Sequence, residues 1–171
     1  MALPKERPPG LDSPVTAKAI KYGARLHVPV FRLTRGRIGS RWRIGAGWHR
    51  PVPTLLLDHV GRTSGRRYTT PLLYLEDGPV GDPRNRLVVV ASRGGLPTHP
   101  QWYRNLLVTP DTTVELRGEG ARAVRARVAS PTERAALWPR LVDLYADFAT
   151  YQSWTDREIP VVVLEPRPEG G

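Results

Sequence analysis

The spacing of apolar positions changes character near Pro53. Before it, Val15, Ala19, Tyr22, Leu26, Val30 and Leu33 recur at three- and four-residue intervals, which marks one apolar face of a helix. Ser13-Pro14 supplies its start, a capping serine followed by proline at the first helical position. Pro29 is expected to interrupt this helix, because a proline ring clashes with the preceding turn, and Ile20 and Phe31 fall on another face. After Pro53 the pattern shortens to β-rich runs: Thr54–Val60, Tyr68–Leu75, Leu87–Ala91, Thr112–Arg117, Arg122–Ala129 and Ile159–Leu164. Turn material separates several of them at Gly61–Arg67, Glu76–Asn85 and Gly118–Ala121. Pro100–Leu107 reads as a short helix opened by proline. Ser130-Pro131-Thr132-Glu133 is a capping box that starts another helix, running through Leu137, Leu141 and Leu144 to about Ala149.

Six short strands, most joined by hairpins, with two or three helices predict an α+β fold. The form expected is a split β-barrel of mostly antiparallel strands with flanking helices. A doubly wound sheet would need regularly alternating helices, which the pattern lacks. Residues 1–12, with Pro4, Pro8 and Pro9, read as a flexible tail; 13–50 as an N-terminal helix and basic connector; 51–171 as the barrel domain. Of the 171 residues, 40% are hydrophobic and 25% charged, a balance that supports a packed core and argues against global disorder. The absence of cysteine excludes disulfides, thiolate nucleophiles and Cys-ligated metal sites. Apolar runs stop at about five residues, against the ~18 of a spanning helix. Met1–Gly10 has no apolar signal core, so a cytoplasmic location is expected.

The net charge of +10 is almost wholly arginine, since only Lys5, Lys18 and Lys21 are lysines. Arginine presents a rigid fork of donors that fits phosphates and carboxylates, so the excess points to an anionic partner or to solvated surface. Lys18, Lys21, Arg25 and Arg32 flank the N-terminal apolar stripe. That arrangement suits peripheral contact with an anionic bilayer, at the inner face of the plasma membrane, or a helix packed on its own domain. Trp42 and Trp48 interleave with Arg35, Arg37, Arg41, Arg43 and Arg50, but no nucleic-acid motif accompanies them and no nucleic acid is expected.

Gly61-Arg62-Thr63-Ser64-Gly65-Arg66-Arg67 follows a strand and offers backbone N–H groups, hydroxyls and arginines, which suits a phosphate cradle or a basic hairpin turn. Ser92-Arg93-Gly94-Gly95 leaves a strand shortly before a helix start, where glycine lets a ligand approach the backbone. Trp102 can stack on a planar ring or fill the core. Tyr145, Phe148, Tyr151 and Trp154 recur every three residues, as packing or as hydroxyls presented to a pocket. His27, His49, His59 and His99 lack zinc-ligand spacing, Asp58 and His59 sit inside a strand pattern, and no carboxylate pair stands out. If the chain is an enzyme, a bound cofactor is therefore expected to carry the chemistry.

Four segments in one register carry a resemblance: Gly61-Arg62-Thr63-Ser64-Gly65, Thr70-Pro71-Leu72-Leu73-Tyr74, Ala91-Ser92-Arg93-Gly94-Gly95 and His99-Pro100-Gln101-Trp102-Tyr103-Arg104-Asn105-Leu106. From about Leu55 to Pro166 the chain resembles the deazaflavin-dependent nitroreductase family of actinobacteria. Tyr151–Arg157 followed by Ile159–Val163 is similar to its nitroimidazole-activating branch. The resemblance implies a split barrel that uses reduced coenzyme F420 as hydride donor. It implies that Arg62, Thr63 and Ser64 surround the phosphate region, and that Tyr68, Thr69, Thr70, Pro71, Leu72 and Leu73 line the cofactor channel. Val90, Ala91, Ser92 and Arg93 line it too, with Gln101, Trp102, Tyr103, Arg104 and Asn105 closing over it. Phe148 takes the place of a ring-contacting tyrosine and lacks its hydroxyl; Thr63 and Tyr68 stand where relatives carry lysine and arginine. Ser92, Tyr145 and Tyr151 are the residues implied at the acceptor, a small molecule such as a quinone, an enone or a nitroaromatic. An FMN-binding barrel reductase, and a non-catalytic cofactor- or nucleic-acid-binding protein, are the alternatives.

Overall fold

The computed structural model describes residues 26–44, 50–79 and 84–167, together with 8, 9, 13 and 82. Most of the expected tail, the N-terminal helix before Leu26, and Trp48 and His49 lie outside the described residues. Residues 26–33 are helical (α1). They are followed by β1 (Arg41–Trp42), β2 (Val52–Val60), β3 (Arg67–Asp77), β4 (Arg86–Val90), α2 (Gln101–Val108) and β5 (Asp111–Glu115). The chain continues with β6 (Ala121–Val128), α3 (Pro131–Leu144), α4 (Asp147–Ser153) and β7 (Val161–Pro166).

Strands run in the order β2-β3-β4-β7-β6-β5, every neighbouring pair antiparallel, and β5 returns to β2 through Leu56↔Glu115 and Leu57↔Val114. The six strands thus close into the expected barrel, which pairs their edges. β1 extends the start of β2, with Trp42 opposite Val52. The sequence reads as connector there, because a two-residue strand carries no alternation.

Leu87-Val88-Val89-Val90 and Val161-Val162-Val163-Leu164 are continuous apolar runs because β4 and β7 are buried on both faces. Leu87, Val89, Val162 and Leu164 join Leu55, Leu57, Val114 and Val124 in the barrel interior. Trp102, Tyr103 and Leu106 of α2 belong to the same cluster and plug the barrel. Val88, Val90, Val161 and Val163 face the other way, onto Leu137 and Leu141 of α3 and Tyr145 and Phe148 beyond it. Each such side chain taken fully from water contributes about 1.5–3 kcal/mol before chain entropy is counted.

Three sequence expectations need correction. The helix begun at the Ser130 capping box stops at Leu144, because Tyr145 turns extended (φ −147°, ψ 94°), and α4 starts afresh at Asp147. Pro29 does not interrupt the described helix: residues 26–33 are helical on both sides of it, since proline's fixed φ is itself helical. In the described part of that helix, Leu26 and Leu33 of the stripe are exposed and Phe31 is buried. The face turned to the protein is the one that Arg32 anchors, through Glu115 at 2.6 Å and Asp58 at 3.2 Å. Among the described residues no helix is long and apolar enough to cross a membrane.

Candidate active site

A cavity of about 210 Å³ lies between β3–β4 and the aromatic end of α4. Pro71, Leu72, Leu73 and Val90 form one wall, Tyr145, Phe148 and Tyr151 another, with Ser92, Gly94, Thr54 and Trp42 completing it. The aromatic wall is a packed cluster: Tyr145 meets Phe148 edge-on at 5.2 Å, and Tyr151 lies 6.4 Å from both. Burial, reinforced by the neighbouring Tyr151, holds the Tyr145 phenol well above its usual pKa; burial also raises Tyr151. Both hydroxyls therefore stay protonated across the physiological range, and the Tyr145 hydroxyl donates to the Ile44 carbonyl at 3.5 Å. Thr54 is 3% exposed, and its hydroxyl oxygen has no hydrogen-bond partner among the described residues. A buried polar group left unpaired costs about 1–3 kcal/mol.

The turn after β4 is held against α4 by backbone shape. Arg93, Gly94 and Gly95 all take positive φ (48°, 61° and 73°). A Cβ at Gly95 would lie 2.7 Å from the Tyr151 carbonyl oxygen, so only glycine lets the turn reach α4 this closely. Arg157 locks the same turn from the other side. Its guanidinium donates to the carbonyls of Ser92 (2.8 Å), Leu96 (2.9 Å) and Ala91 (3.3 Å), and to His99 Nδ1 (3.3 Å). Burial, then the proximity of Arg93, lowers the Arg157 pKa.

The second half of the site joins the Gly61–Arg67 turn to the start of α2. Arg62 donates to Gln101 Oε1 at 2.7 Å and Asn105 Oδ1 at 3.3 Å, and its backbone N–H reaches Asn105 Oδ1 at 3.2 Å. With Asn105 Oδ1 so engaged, its amide donates to His59 Nδ1 at 2.9 Å, leaving His59 Nε2–H to donate to Thr70 Oγ1 at 3.0 Å. Burial lowers the His59 pKa, consistent with this neutral tautomer. Helix α2 has Pro100 at its N-cap and no side-chain cap, so the N–H groups of its first turn remain available.

Many arginines away from this face meet carboxylates: Arg86 and Arg140 on Asp77, Arg127 on Glu133 and Glu165, Arg125 on Asp111. Arg35, Arg37, Arg41, Arg43 and Arg117 make no such pair among the described residues. Among the described residues Arg62, Arg66, Arg67, Arg93, Arg104 and Arg157 make no such pair. A larger cavity, about 510 Å³, lies around Thr69, Thr112 and Thr113; Arg32–Asp58 and Arg167–Asp111 pair within its lining, and Arg67 borders it without a carboxylate partner among the described residues.

The residues singled out in the sequence thus fall into groups. Pro71, Leu72, Leu73, Val90, Ser92, Tyr145, Phe148 and Tyr151 meet at the smaller cavity. Arg62, Gln101 and Asn105 meet at the turn, where Thr63, Ser64 and Tyr68 are exposed and Ser64 Oγ lies 3.4 Å from the Tyr68 hydroxyl. Arg104 sits on α2 beside them, and Thr70 bonds His59, whereas Thr69 bonds Asp58 beside the larger cavity. Ala91 is buried with its carbonyl toward Arg157, and Arg93 contacts Thr98. Trp102 and Tyr103 are buried in the barrel interior and anchor α2 there. Thr54, Trp42, His59 and Arg157 were not singled out as site residues. A threonine inside a strand and an arginine in a loop carry no signal until the partners brought by the fold are known.

A family model described as F420H(2)-dependent quinone reductase matches residues 23–166. A Mycobacterium tuberculosis protein named a putative F420H(2)-dependent quinone reductase is 55% identical over 125 residues, covering 73% of this chain and 99% of its own length. A second protein of that organism, named an F420H(2)-dependent quinone reductase, is 38% identical over 146 residues, covering 84% and 89%. A solved structure of an F420-H2 dependent reductase superposes with a TM-score of 0.57 at 34% identity, over 66% of this chain and 94% of that one.

Proposed function

Because the chain belongs to the F420H(2)-dependent quinone reductase family, it is an oxidoreductase that uses reduced coenzyme F420, and we propose that quinones are its preferred acceptors. The observation that carries this reading is the adjacency of two surfaces. One is a band of arginines without carboxylate partners, and the other is an apolar, aromatic-walled cavity edged by hydroxyls.

The residues present suit a planar cofactor with an anionic tail. Arg62, Thr63, Ser64 and Tyr68, with the open N–H groups of the first turn of α2, would hold the phosphate. Arg66, Arg67, Arg93 and Arg104 add positive charge around it. Pro71, Leu72, Leu73, Val90, Ser92 and Phe148 would bound the ring, whereas Ala91, expected there from the sequence, is fully buried in the barrel core. When bound, the reduced coenzyme supplies the hydride. The chain's own residues orient and protect that transfer. Phe148 and Trp42 keep water from the cavity, and Arg157 fixes the backbone of Ser92. The protonated hydroxyls of Tyr151 and of Tyr145, turned from the Ile44 carbonyl, donate with Ser92 to the acceptor oxygen as negative charge grows on it. A quinone presents such an oxygen on a flat apolar ring. Enones share the oxygen, whereas a bicyclic nitroimidazole would miss the hydroxyl that Phe148 lacks.

Fluorescence titration with oxidised coenzyme F420, FMN and single-stranded DNA, followed by steady-state assay of coenzyme oxidation with naphthoquinone, tests the reading. We expect coenzyme F420 to bind at least about tenfold more tightly than FMN, with no DNA binding. Replacing Arg62 by alanine should weaken the coenzyme by about 1.5–3 kcal/mol, the range of a charge-assisted bond. Tighter FMN binding, or unaltered affinity in Arg62→Ala, would count against it.

A further inference from the structure

We propose that Thr54 is a specificity-determining residue whose hydroxyl donates a hydrogen bond to a ring carbonyl oxygen of the acceptor. Its place in the fold singles it out. Thr54 forms part of the cavity wall, and its backbone N–H is already used, on the Ser40 carbonyl at 2.9 Å. Its side-chain oxygen has no partner among the described residues although the residue is buried. Hydroxyls in protein interiors are nearly always paired; this oxygen is closed to solvent in a residue that lines the cavity, and rotation about χ1 turns it to the cavity, where a ligand oxygen supplies the partner. The flanking residues strengthen this: Leu55, Leu56 and Leu57 are aliphatic and fully buried, and Leu73 stands opposite Thr54 on β3. Valine would fill the same space at that position without leaving an oxygen unpaired.

Two oxygen sources share the required chemistry, a carbonyl on the cofactor ring and a carbonyl on the acceptor. Position sets Thr54 apart from the phosphate end of the cofactor, and the test below separates the acceptor from the cofactor ring. Thr54 lies near the start of β2, whereas the Gly61–Arg67 turn follows its end, six residues on and roughly 20 Å away along an extended strand. Thr54 sits instead beside β1, where Trp42, part-exposed, borders the same cavity. An acceptor entering past Trp42 meets Thr54 on one side and the Tyr145–Tyr151 pair on the other.

The inference rests on the quinone reading above, and the test separates the two. Binding of a short-chain naphthoquinone is followed by quenching of tryptophan fluorescence in wild type, Thr54→Val and Thr54→Ser, beside kcat/KM with reduced coenzyme F420. Thr54→Val is expected to lose about three- to tenfold in quinone affinity and kcat/KM, the worth of one neutral hydrogen bond. Thr54→Ser should stay near wild type. Affinity for oxidised coenzyme F420, and for naphthalene as a ring without oxygens, should not change. The thermal midpoint of ligand-free Thr54→Val should hold or rise, since no internal bond is lost; a purely structural hydroxyl would lower it. Equal quinone affinity in wild type and Thr54→Val overturns this proposal alone. A loss confined to coenzyme affinity also overturns it and assigns the hydroxyl to the cofactor. A wild-type protein that binds coenzyme F420 but no quinone overturns both readings.

Discussion

Arg157 shows how much one side chain can organise. It stands in the loop after α4, yet its donors end on carbonyls of Ala91, Ser92 and Leu96, more than sixty residues earlier in the chain. No carboxylate among the described residues offsets its charge, so the guanidinium serves as a multiple hydrogen-bond donor while adding positive potential beside the cavity. Arg157→Met keeps much of the packing volume but strips those carbonyls of their donor. We expect a loss of about 2–4 kcal/mol in stability by urea denaturation. A disproportionate fall in quinone turnover should accompany it, because Ser92 loses its backbone restraint. A variant as stable and as active as wild type would reduce Arg157 to a surface residue. In the sequence Arg157 belongs to a recognisable motif, but its role is invisible there because its partners are remote in the chain.

At the level of elements, the site is a meeting of ends: the exit of β4, the start of α2, the hairpin turn after β2 and the short helix α4. The strands were legible because β4 and β7 are apolar on both faces and the capping box marks the start of α3. The break between α3 and α4 was not. The apolar spacing through Tyr145, Phe148 and Tyr151 suits a continuous helix, whereas in the fold Tyr145 turns extended and its ring joins the cluster that holds Val90 and Val161. Gly95 is the tightest joint between these elements. Gly95→Ala places a methyl against the Tyr151 carbonyl and forces an unfavourable positive φ. The expected cost is about 1–3 kcal/mol in unfolding free energy, with turnover reduced more than coenzyme affinity. The neighbouring Gly94, with open space around its Cβ position, should bear alanine with a smaller penalty. Chemical denaturation of both variants makes the comparison; equal losses would show that φ alone, not the approach to α4, sets the cost.

For the whole molecule, the titrating groups give a pH profile with a definite sign. His59 and His99 have folded pKa values below the ordinary 6.5, each chiefly from burial, with Arg157 and Arg104 adding to the effect on His99. Unfolding restores the ordinary value, so below it the unfolded chain takes up protons that the folded protein refuses. Their contribution is full above about pH 6.5 and declines as pH falls from there. Glu133 follows at lower pH. Its hydrogen bond from Arg127, aided by the Ser130 N–H, holds it at about 2 against an ordinary 4.5, so its contribution is full above 4.5 and lost as pH falls toward 2. Thermal midpoints by circular dichroism between pH 8 and pH 3 should be level at the top, then fall in two stages. A midpoint unchanged between pH 7 and pH 5 would contradict the neutral, buried state of the histidines.

Local pattern alone determined that this chain makes short, mostly antiparallel strands with a few helices, and the ordered glycine, arginine and aromatic motifs determined its family resemblance. Those features are written in neighbouring residues, through period, capping and turn chemistry. Tertiary structure decided the rest. It closed β5 onto β2, paired most of the barrel's arginines with carboxylates while leaving the site's arginines without them, and broke the last helix at Tyr145. It also left the Thr54 hydroxyl unpaired beside an apolar cavity. Each of these outcomes depends on which groups meet across tens of residues, and a side chain's burial, charge and partner exist only once that meeting has occurred.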